Sequence, residues 1–432
     1  MELSEHQLPG GIHLRVFRTD KFKIDAFRLI LHLPLEDQAG RTALVPFVLR
    51  RGTERHPASG DLAAFLESLY GADLHADVMK LGERQLLTFG VEVPHPRYVG
   101  GDETLTVQAL ETLRDVVWRP ARQGSGALRD DYVAQEKDNL RHAIEGIINE
   151  KGQYAMYRLV QEMFAGTPFA TPRYGHIEDF VDMSAADLTE VYRATLERAR
   201  IDLYAVGDFD PKTLEARAAD VFGPVVQGRG GVDLPRPQRP GVHEARHRTV
   251  VDRMPVNQGK LAIGLWTGVG FGDPRFPALT VANGMLGGFA HSKLHQNVRE
   301  RASLAYYAYS RLEGTQGAAF ITAGIEFADY EKALAIIEEQ VAAVREGQVS
   351  DEEFERTVRT LKHHVRLGED SPGALVLSHL ERSMYGMPAD AESRLRDLDA
   401  VTPEAATKAA QGMATDTVYF LTRQESAVES PA

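Results

Sequence analysis

The sequence contains no cysteine. That excludes a disulfide framework, a thiolate metal site and a cysteine nucleophile, so any metal site has to be built from His and carboxylate. Long apolar runs are missing too. The longest clean one is Ala43 to Leu49, far short of the roughly 20 residues of a membrane-spanning helix. The start, Met1-Glu2-Leu3-Ser4-Glu5-His6, is acidic and polar and lacks the apolar stretch of a signal peptide. A cytoplasmic chain is the expectation. An excess of basic charge is also lacking: 49 Lys plus Arg stand against 62 Asp plus Glu, a net charge of −13. This balance argues against a nucleic-acid binder and against a polybasic hold on anionic lipid, so neither nucleic acid nor a membrane is an expected partner.

What is present is an ordinary apolar fraction, 43% of 432 residues. At roughly 100–200 residues per domain this suggests two or three domains, each able to bury a core. Gly223 to Gly241, reading GPVVQGRGGVDLPRPQRPG, packs five Gly and four Pro into 19 residues. It reads as a linker between a first domain over 1–222 and a second over 242–424, with a polar flexible tail over 425–432.

Two near-equal halves invite a search for a repeat. In the first half the strand-like run Leu86 to Val93 precedes a helical segment, Val107 to Val117. In the second half Ala319 to Phe327 precedes a helix over Ala333 to Val344, with Leu334, Ile337, Val341 and Val344 on one stripe. A later echo pairs the helix opened by Ser184 and the strand Ile201 to Val206 with the helix opened by Thr402-Pro403 and the strand Thr417 to Thr422. Ser184 and Thr402 suit an N-cap, and Pro403 suits the first helical position. Further helices are expected over Ser59 to Leu69, over Val133 to Glu150 and after the capping box Ser350-Asp351-Glu352-Glu353. Strands separated by long helices, without regular short βα units, favour an α+β class over a doubly wound sheet.

Metal-ligating patterns are weak. His243 and His247 fall just past the linker, where they read as loop residues; His363 and His364 are adjacent and point apart on a helix; His142 and Glu145 have no second pair to complete a tetrahedral site. No phosphate-binding glycine motif and no nucleophile elbow is found. The informative stretch is Gly284-Met285-Leu286-Gly287-Gly288-Phe289-Ala290-His291-Ser292-Lys293-Leu294-His295-Gln296-Asn297-Val298-Arg299-Glu300-Arg301-Ala302-Ser303-Leu304-Ala305-Tyr306. It combines a glycine-rich loop, a short helix ending near Arg299-Glu300, a turn and a strand carrying Tyr306.

This stretch resembles the glycine-rich loop and Arg/Tyr signature of the insulinase-like zinc peptidases, which include pitrilysin and the mitochondrial processing peptidase. In family form it reads roughly L-G-G-G-x-x-S-x-L-F-x-x-V-R-E-x-x-G-L-A-Y, and the seven-residue gap from Arg299 to Tyr306 is the same. Val206-Gly207-Asp208-Phe209-Asp210-Pro211 and Thr167-Pro168-Phe169 with Tyr174-Gly175 resemble two further family stretches. The resemblance implies two tandem homologous α/β-sandwich domains, each a mixed antiparallel sheet packed with helices. It also implies substrate-binding roles for Gly284, Gly287 and Gly288.

Active members of the family carry His-x-x-Glu-His just before a Gly-Thr pair, here Gly52-Thr53. The two His positions fall on Ala43 and Phe47 and the Glu position on Pro46. The third ligand aligns with about Ala143 if Glu136 matches the family's upstream Glu, leaving His142 next door as a lone imidazole. Catalytic zinc takes three protein ligands plus water, so no metal is expected in this chain. Arg299 and Tyr306 remain. Singly, they read as a surface residue paired with Glu300 and a half-buried strand residue. Together with the glycine-rich loop, the resemblance implies donors to the oxyanion of amide hydrolysis. The chain then reads as the zinc-lacking subunit of a heterodimeric peptidase, whose homologous partner supplies the zinc and whose substrates are peptides. The alternative is an inactive peptide-binding or structural homologue, for instance a homodimer.

Overall fold

The computed structural model describes residues 1–424 except 103, 125, 232, 233, 235, 236, 238–240 and 242. The tail expected over 425–432 and part of the linker expected over 223–241 therefore lie outside the described residues. The chain forms two compact units, one of Met1–Glu145 with Thr171–Pro235, the other of Gly146–Ala170 with Arg236–Ala432.

The first unit is built on six strands: β1 (Glu2–Leu8), β2 (Ile12–Arg18), β3 (Ile24–Pro34), β4 (Asp73–Leu81), β5 (Arg84–Pro94) and β6 (Arg200–Gly207). They lie in the order β1-β2-β6-β3-β5-β4. All neighbours are antiparallel except β2 and β6. Strict alternation sends Leu14 and Val16, Phe27, Leu29 and Leu31, and Leu87, Phe89 and Val91 into one core. The helices are α1 (Ala39–Leu49), α2 (Ser59–Ser68), α3 (Thr104–Trp118), α4 (Asp130–Asn149), α5 (Lys151–Met163, in the second unit), α6 (Ala185–Arg198) and α7 (Pro211–Phe222). The expected Ser184 cap is real. Its hydroxyl accepts from the Asp187 backbone N–H at 3.2 Å while Asp187 accepts the Ser184 N–H at 3.0 Å. The opposite sheet face carries charge: Asp202 meets Arg15 at 3.0 Å and His32 at 3.1 Å. Burial opposes ionisation of Asp202, but the His32 hydrogen bond and the Arg15 and Arg200 charges hold its carboxyl well below the usual range.

The second unit has five strands: β7 (Arg248–Met254), β8 (Gly259–Trp266), β9 (Ala305–Glu313), β10 (Ala318–Ile325) and β11 (Ala414–Arg423), in the order β7-β11-β8-β10-β9. Only β7 and β11 run parallel. Dropping β1, the two orders coincide strand for strand, and the single parallel pair falls at the same place. The repeat read from sequence is thus β5 with β10 and β6 with β11. The helices are α8 (Phe276–Asn283), α9 (Tyr330–Arg345), α10 (Asp351–Gly368), α11 (Pro372–Met384), α12 (Ala391–Asp399) and α13 (Pro403–Ala410). Helices α8, α9 and α13 pack one sheet face. Among the described residues no helix is long and apolar enough to cross a membrane.

A contiguous first domain over 1–222 is not what forms, because residues 146–170 pack with the second unit. The reason is the far face of its sheet. Ala262, Trp266, Phe320, Tyr419 and Leu421 are apolar there, and Ala155, Leu159, Met163 and Phe164 cover them. The Phe164 ring stands edge-on to Trp266 at 5.2 Å and to Phe169 at 4.6 Å. His243, read as a loop residue, stacks on Trp266 at 4.0 Å. Truncating Phe164 to Ala leaves a cavity against Trp266 and is expected to cost about 3 kcal/mol. A denaturant titration followed by tryptophan fluorescence measures this, and an unchanged midpoint would show that Phe164 does not hold the cover in place.

Candidate functional site

Two places in the fold correspond to the residues singled out from sequence. The first is α1 with α4. Ala43 is fully buried, Pro46 is buried inside the helix, and Phe47 is half-buried with its ring edge-on to Tyr174 at 6.0 Å. Ala43 belongs to the core of the first unit and Phe47 packs against it. Gly52 has a structural reason of its own: a Cβ there would stand 2.8 Å from the Pro57 carbonyl oxygen. On α4, Ala143 and His142 are exposed, and His142 Nε2 lies 3.3 Å from Arg141 Nη2. Glu136 is the buried carboxylate of α4, and Arg51 Nη1 approaches its Oε1 at 3.4 Å while Arg51 Nη2 donates to Gln135. The Arg51 guanidinium also sits over the Tyr132 ring at 5.4 Å. A cation from the chain itself thus balances the carboxylate at the family's upstream Glu position. Among the described residues no group of three His, Asp or Glu converges to hold a metal. Apolar side chains at three ligand or base positions, and a guanidinium against the remaining carboxylate, do not fit zinc.

The second place is the stretch from α8 to β9. Gly284–Gly288 and His295–Arg301 are both π-helical turns, a wider winding that is frequent at functional sites. Of the three glycines read as substrate-binding, two are packed into the protein. A Cβ on Gly287 would fall 2.6 Å from Ser310 N and Oγ, and one on Gly284 2.5 Å from Thr357. Gly288 alone is exposed.

Arg299 lies in the second π-turn, with 46% of its side chain exposed. Its Nη1 donates to His295 Nε2 at 2.8 Å, and its Nε is 3.6 Å from Glu300. The surface pair with Glu300 therefore exists, but the closer partner is His295, which sequence reasoning passed over. The turn ends on Ser303 at φ 52°, a left-handed conformation that favours glycine, and the family pattern has glycine at that position. The Leu304 N–H then reaches back to the Val298 carbonyl at 3.0 Å and closes the turn.

Tyr306 is not half-buried; it is 66% exposed. The register explains why. Ala305 pairs with Ile325 and Tyr307 with Gly324, so Tyr306 is the extra residue of a β-bulge on an edge strand. A bulge breaks alternation and re-aims the side chain, which leaves Tyr306 exposed and Tyr307 half-buried between buried Ala305 and Ala308. The Tyr306 hydroxyl donates to Glu326 Oε1 at 3.1 Å. This hydrogen bond to a carboxylate, with the charge of Glu326, pushes the phenol pKa above its ordinary value. Neither the bulge nor Glu326 had a local sequence signal, because both depend on the register between β9 and β10.

Comparison with known proteins agrees with this geometry. A family model described as the inactive domain of M16 peptidases matches residues 182–361. The chain is 35% identical over 419 residues, 97% of each chain, to a probable inactive metalloprotease of Bacillus subtilis. It is 31% identical over 305 residues to an uncharacterised zinc protease of Mycobacterium tuberculosis, covering 68% of this chain and 66% of that one. A conserved protein of Enterococcus faecalis superposes with a TM-score of 0.88 at 24% identity, covering 98% and 99% of the two chains. A peptidase M16 inactive domain from Pseudomonas fluorescens does so at 0.78 and 19% identity over the full length of both.

Two outcomes test the local physics. Arg51→Ala removes the cation beside a buried carboxylate and is expected to destabilise the first unit by about 2 kcal/mol, less than for a fully buried pair because Arg51 is partly exposed; a denaturant midpoint equal to wild type would exclude this. Glu326→Gln removes the charge that raises Tyr306, so the phenol should titrate at lower pH. Carbon-13 NMR of ring-labelled tyrosine, with Tyr306→Phe to assign the resonance, reads the shift, and a titration that stays put would dissociate Glu326 from the phenol.

Proposed function

The chain belongs to the M16 peptidase family, as a homologue of the inactive form, and on that premise we propose that it is the zinc-free subunit of a two-chain peptidase. The observation that carries the reading is a division of residues. Ala43, Pro46 and Phe47 replace the metal ligands and base with core side chains, while Arg299 and Tyr306 stay exposed at the family spacing. A chain kept only as a scaffold has no need of a bulge that presents a phenol to solvent.

In this reading a homologous partner supplies the zinc, and this chain supplies two donors. Amide hydrolysis passes through a tetrahedral intermediate whose oxygen carries negative charge. A neutral phenol O–H aimed at that oxygen stabilises it more than it stabilises the planar carbonyl. Arg299 offers a planar fork of N–H groups suited to a peptide carbonyl or a terminal carboxylate. His295 Nε2 and Glu326 Oε1 hold the two donors meanwhile. Each is an acceptor that the substrate's oxygen displaces.

The test is peptide cleavage by a zinc-bearing homologue, alone and mixed with this chain. The mixture should exceed the homologue alone, and Arg299→Ala or Tyr306→Phe should lower the added rate by about 100-fold. Full stimulation by both variants would overturn the donor role and leave the alternative, a structural or peptide-binding homologue.

A further inference from the structure

The second unit contains a cavity of about 450 Å³ that neither Arg299 nor Tyr306 lines. Its walls come from α8, the exposed glycine Gly288, the end of β9, and α10, α11 and α12. The volume is that of a site for a small organic molecule.

The lining is divided. One side is apolar, with Phe271, Phe276, Leu312, Leu361, Val365 and Leu398. Phe271 and Phe276 meet edge to face at 4.9 Å, which fixes the rings without a ligand. The other side carries charge. Ser378, Glu381 and Arg382 lie on one face of α11, at i, i+3 and i+4, and Arg394 and Asp397 face them from α12.

These charges are incompletely matched. Arg394 Nη1 donates to the neutral Ser378 hydroxyl at 2.8 Å. Among the described residues no carboxylate comes within 4.0 Å of Arg394 and no basic group within 4.0 Å of Glu381. Yet the two feel each other's charge across the cavity wall, and both are more than half buried. Arg382 gives its Nε to the Pro388 carbonyl and reaches Asp397 only at 3.9 Å. Burial pushes the Glu381 carboxyl up, and the neighbouring Glu313 adds to it; burial and the nearby Arg394 push Arg382 down to about 10. Half-buried opposite charges that are close but not joined, beside an aromatic wall, need a small molecule bearing both charges and an apolar body to complete them.

We propose that this cavity binds a small apolar zwitterion, a free apolar amino acid or a dipeptide, with its ammonium on Glu381, its carboxylate on Arg394 and its side chain against Phe271 and Phe276. Ser378 holds the Arg394 guanidinium in place. The site lies within one unit and uses neither Arg299 nor Tyr306, although Gly284 and Gly288 of the glycine-rich stretch form part of its wall.

Isothermal titration calorimetry on the full chain tests it with phenylalanine, leucine and the dipeptide Leu-Phe. One-site saturable binding by at least one of these is expected. N-acetylphenylalanine, which lacks the ammonium, and phenylalanine amide, which lacks the carboxylate, should bind at least 10-fold more weakly than phenylalanine; should the dipeptide be the ligand, N-acetyl-Leu-Phe and Leu-Phe amide take their place. The stronger of the amino acid and the dipeptide identifies which span the cavity fits. Arg394→Met should weaken the zwitterion at least 10-fold while leaving the amide unchanged, and Glu381→Gln should do the same for the N-acetyl form. The analogue series on the unaltered chain decides the question even where a variant does not fold. No saturation by any of the three zwitterions at 10 mM, or equal affinity for the blocked forms, would overturn the proposal.

Discussion

A sheet that is apolar on both faces needs two covers, and in the second unit this requirement governs how the chain is used. β10 is buried along its whole length. Helices α8, α9 and α13 fill one side, and the other is closed by residues 146–170, from the first half of the sequence. Burial of large aromatic side chains such as Phe320 and Tyr419 is worth several kcal/mol together. Cutting at the glycine- and proline-rich stretch would strip that cover away. Residues 223–241 join the halves without bounding a self-sufficient second domain. The first unit's far face is different in kind: buried Arg15, His32 and Asp202 form a charged cluster there whose members pair with one another, and Arg15 also lies over the Tyr204 ring.

With the two sheets matched strand for strand, the connections between matched strands can also be compared. α1 and α2 lie between β3 and β4, while α8 and the two π-turns lie between β8 and β9. The positions of the lost metal motif and the Arg/Tyr segment are therefore the same connection in the two copies of one unit. In the first copy the connection is turned inward: Ala43, Leu44, Pro46 and Val48 are buried and the helix serves packing. In the second it ends outward, through π winding, a left-handed Ser303 and a bulge, of which the left-handed serine costs about 1 kcal/mol or more. Backbone strain of that sort clusters at functional sites.

Much of this was legible in the residues. The run Leu86 to Val93 is the centre of β5, Ala333 to Val344 lies within α9, and Ser184, Ser350 and Thr402 cap helices where read. Those signals are local: alternation, a 3.6-residue stripe and a side chain that bonds a backbone N–H three residues on. The loss of the metal site was legible too, since Ala, Pro and Phe cannot coordinate zinc whatever the fold does. The destination of 146–170 was not legible, because the amphipathic face of α5 does not say which sheet it covers. Nor was the outward turn of Tyr306. Read along the sequence alone, Ala305 to Ser310 does not reveal an added residue, and only pairing with Gly324 and Ile325 shows that β9 carries one.

The hydrogen bond from Tyr306 to Glu326 links the local geometry to what the residue can do. A phenol stabilises a developing oxyanion only while it keeps its proton, and a carboxylate at 3.1 Å makes loss of that proton less favourable. The same carboxylate competes for the hydrogen bond, so the donor is preset but occupied. The competition is weak for a neutral carbonyl, which cannot displace a charged acceptor, and strong for an oxyanion, which can. Arg299 is arranged in parallel, since its Nη1 is directed at a ring nitrogen of His295, an acceptor that a carboxylate or an oxyanion outbids. Both side chains are thus held by acceptors that orient them. Under the proposed peptidase role, such orientation is what a donor to the developing oxyanion would need.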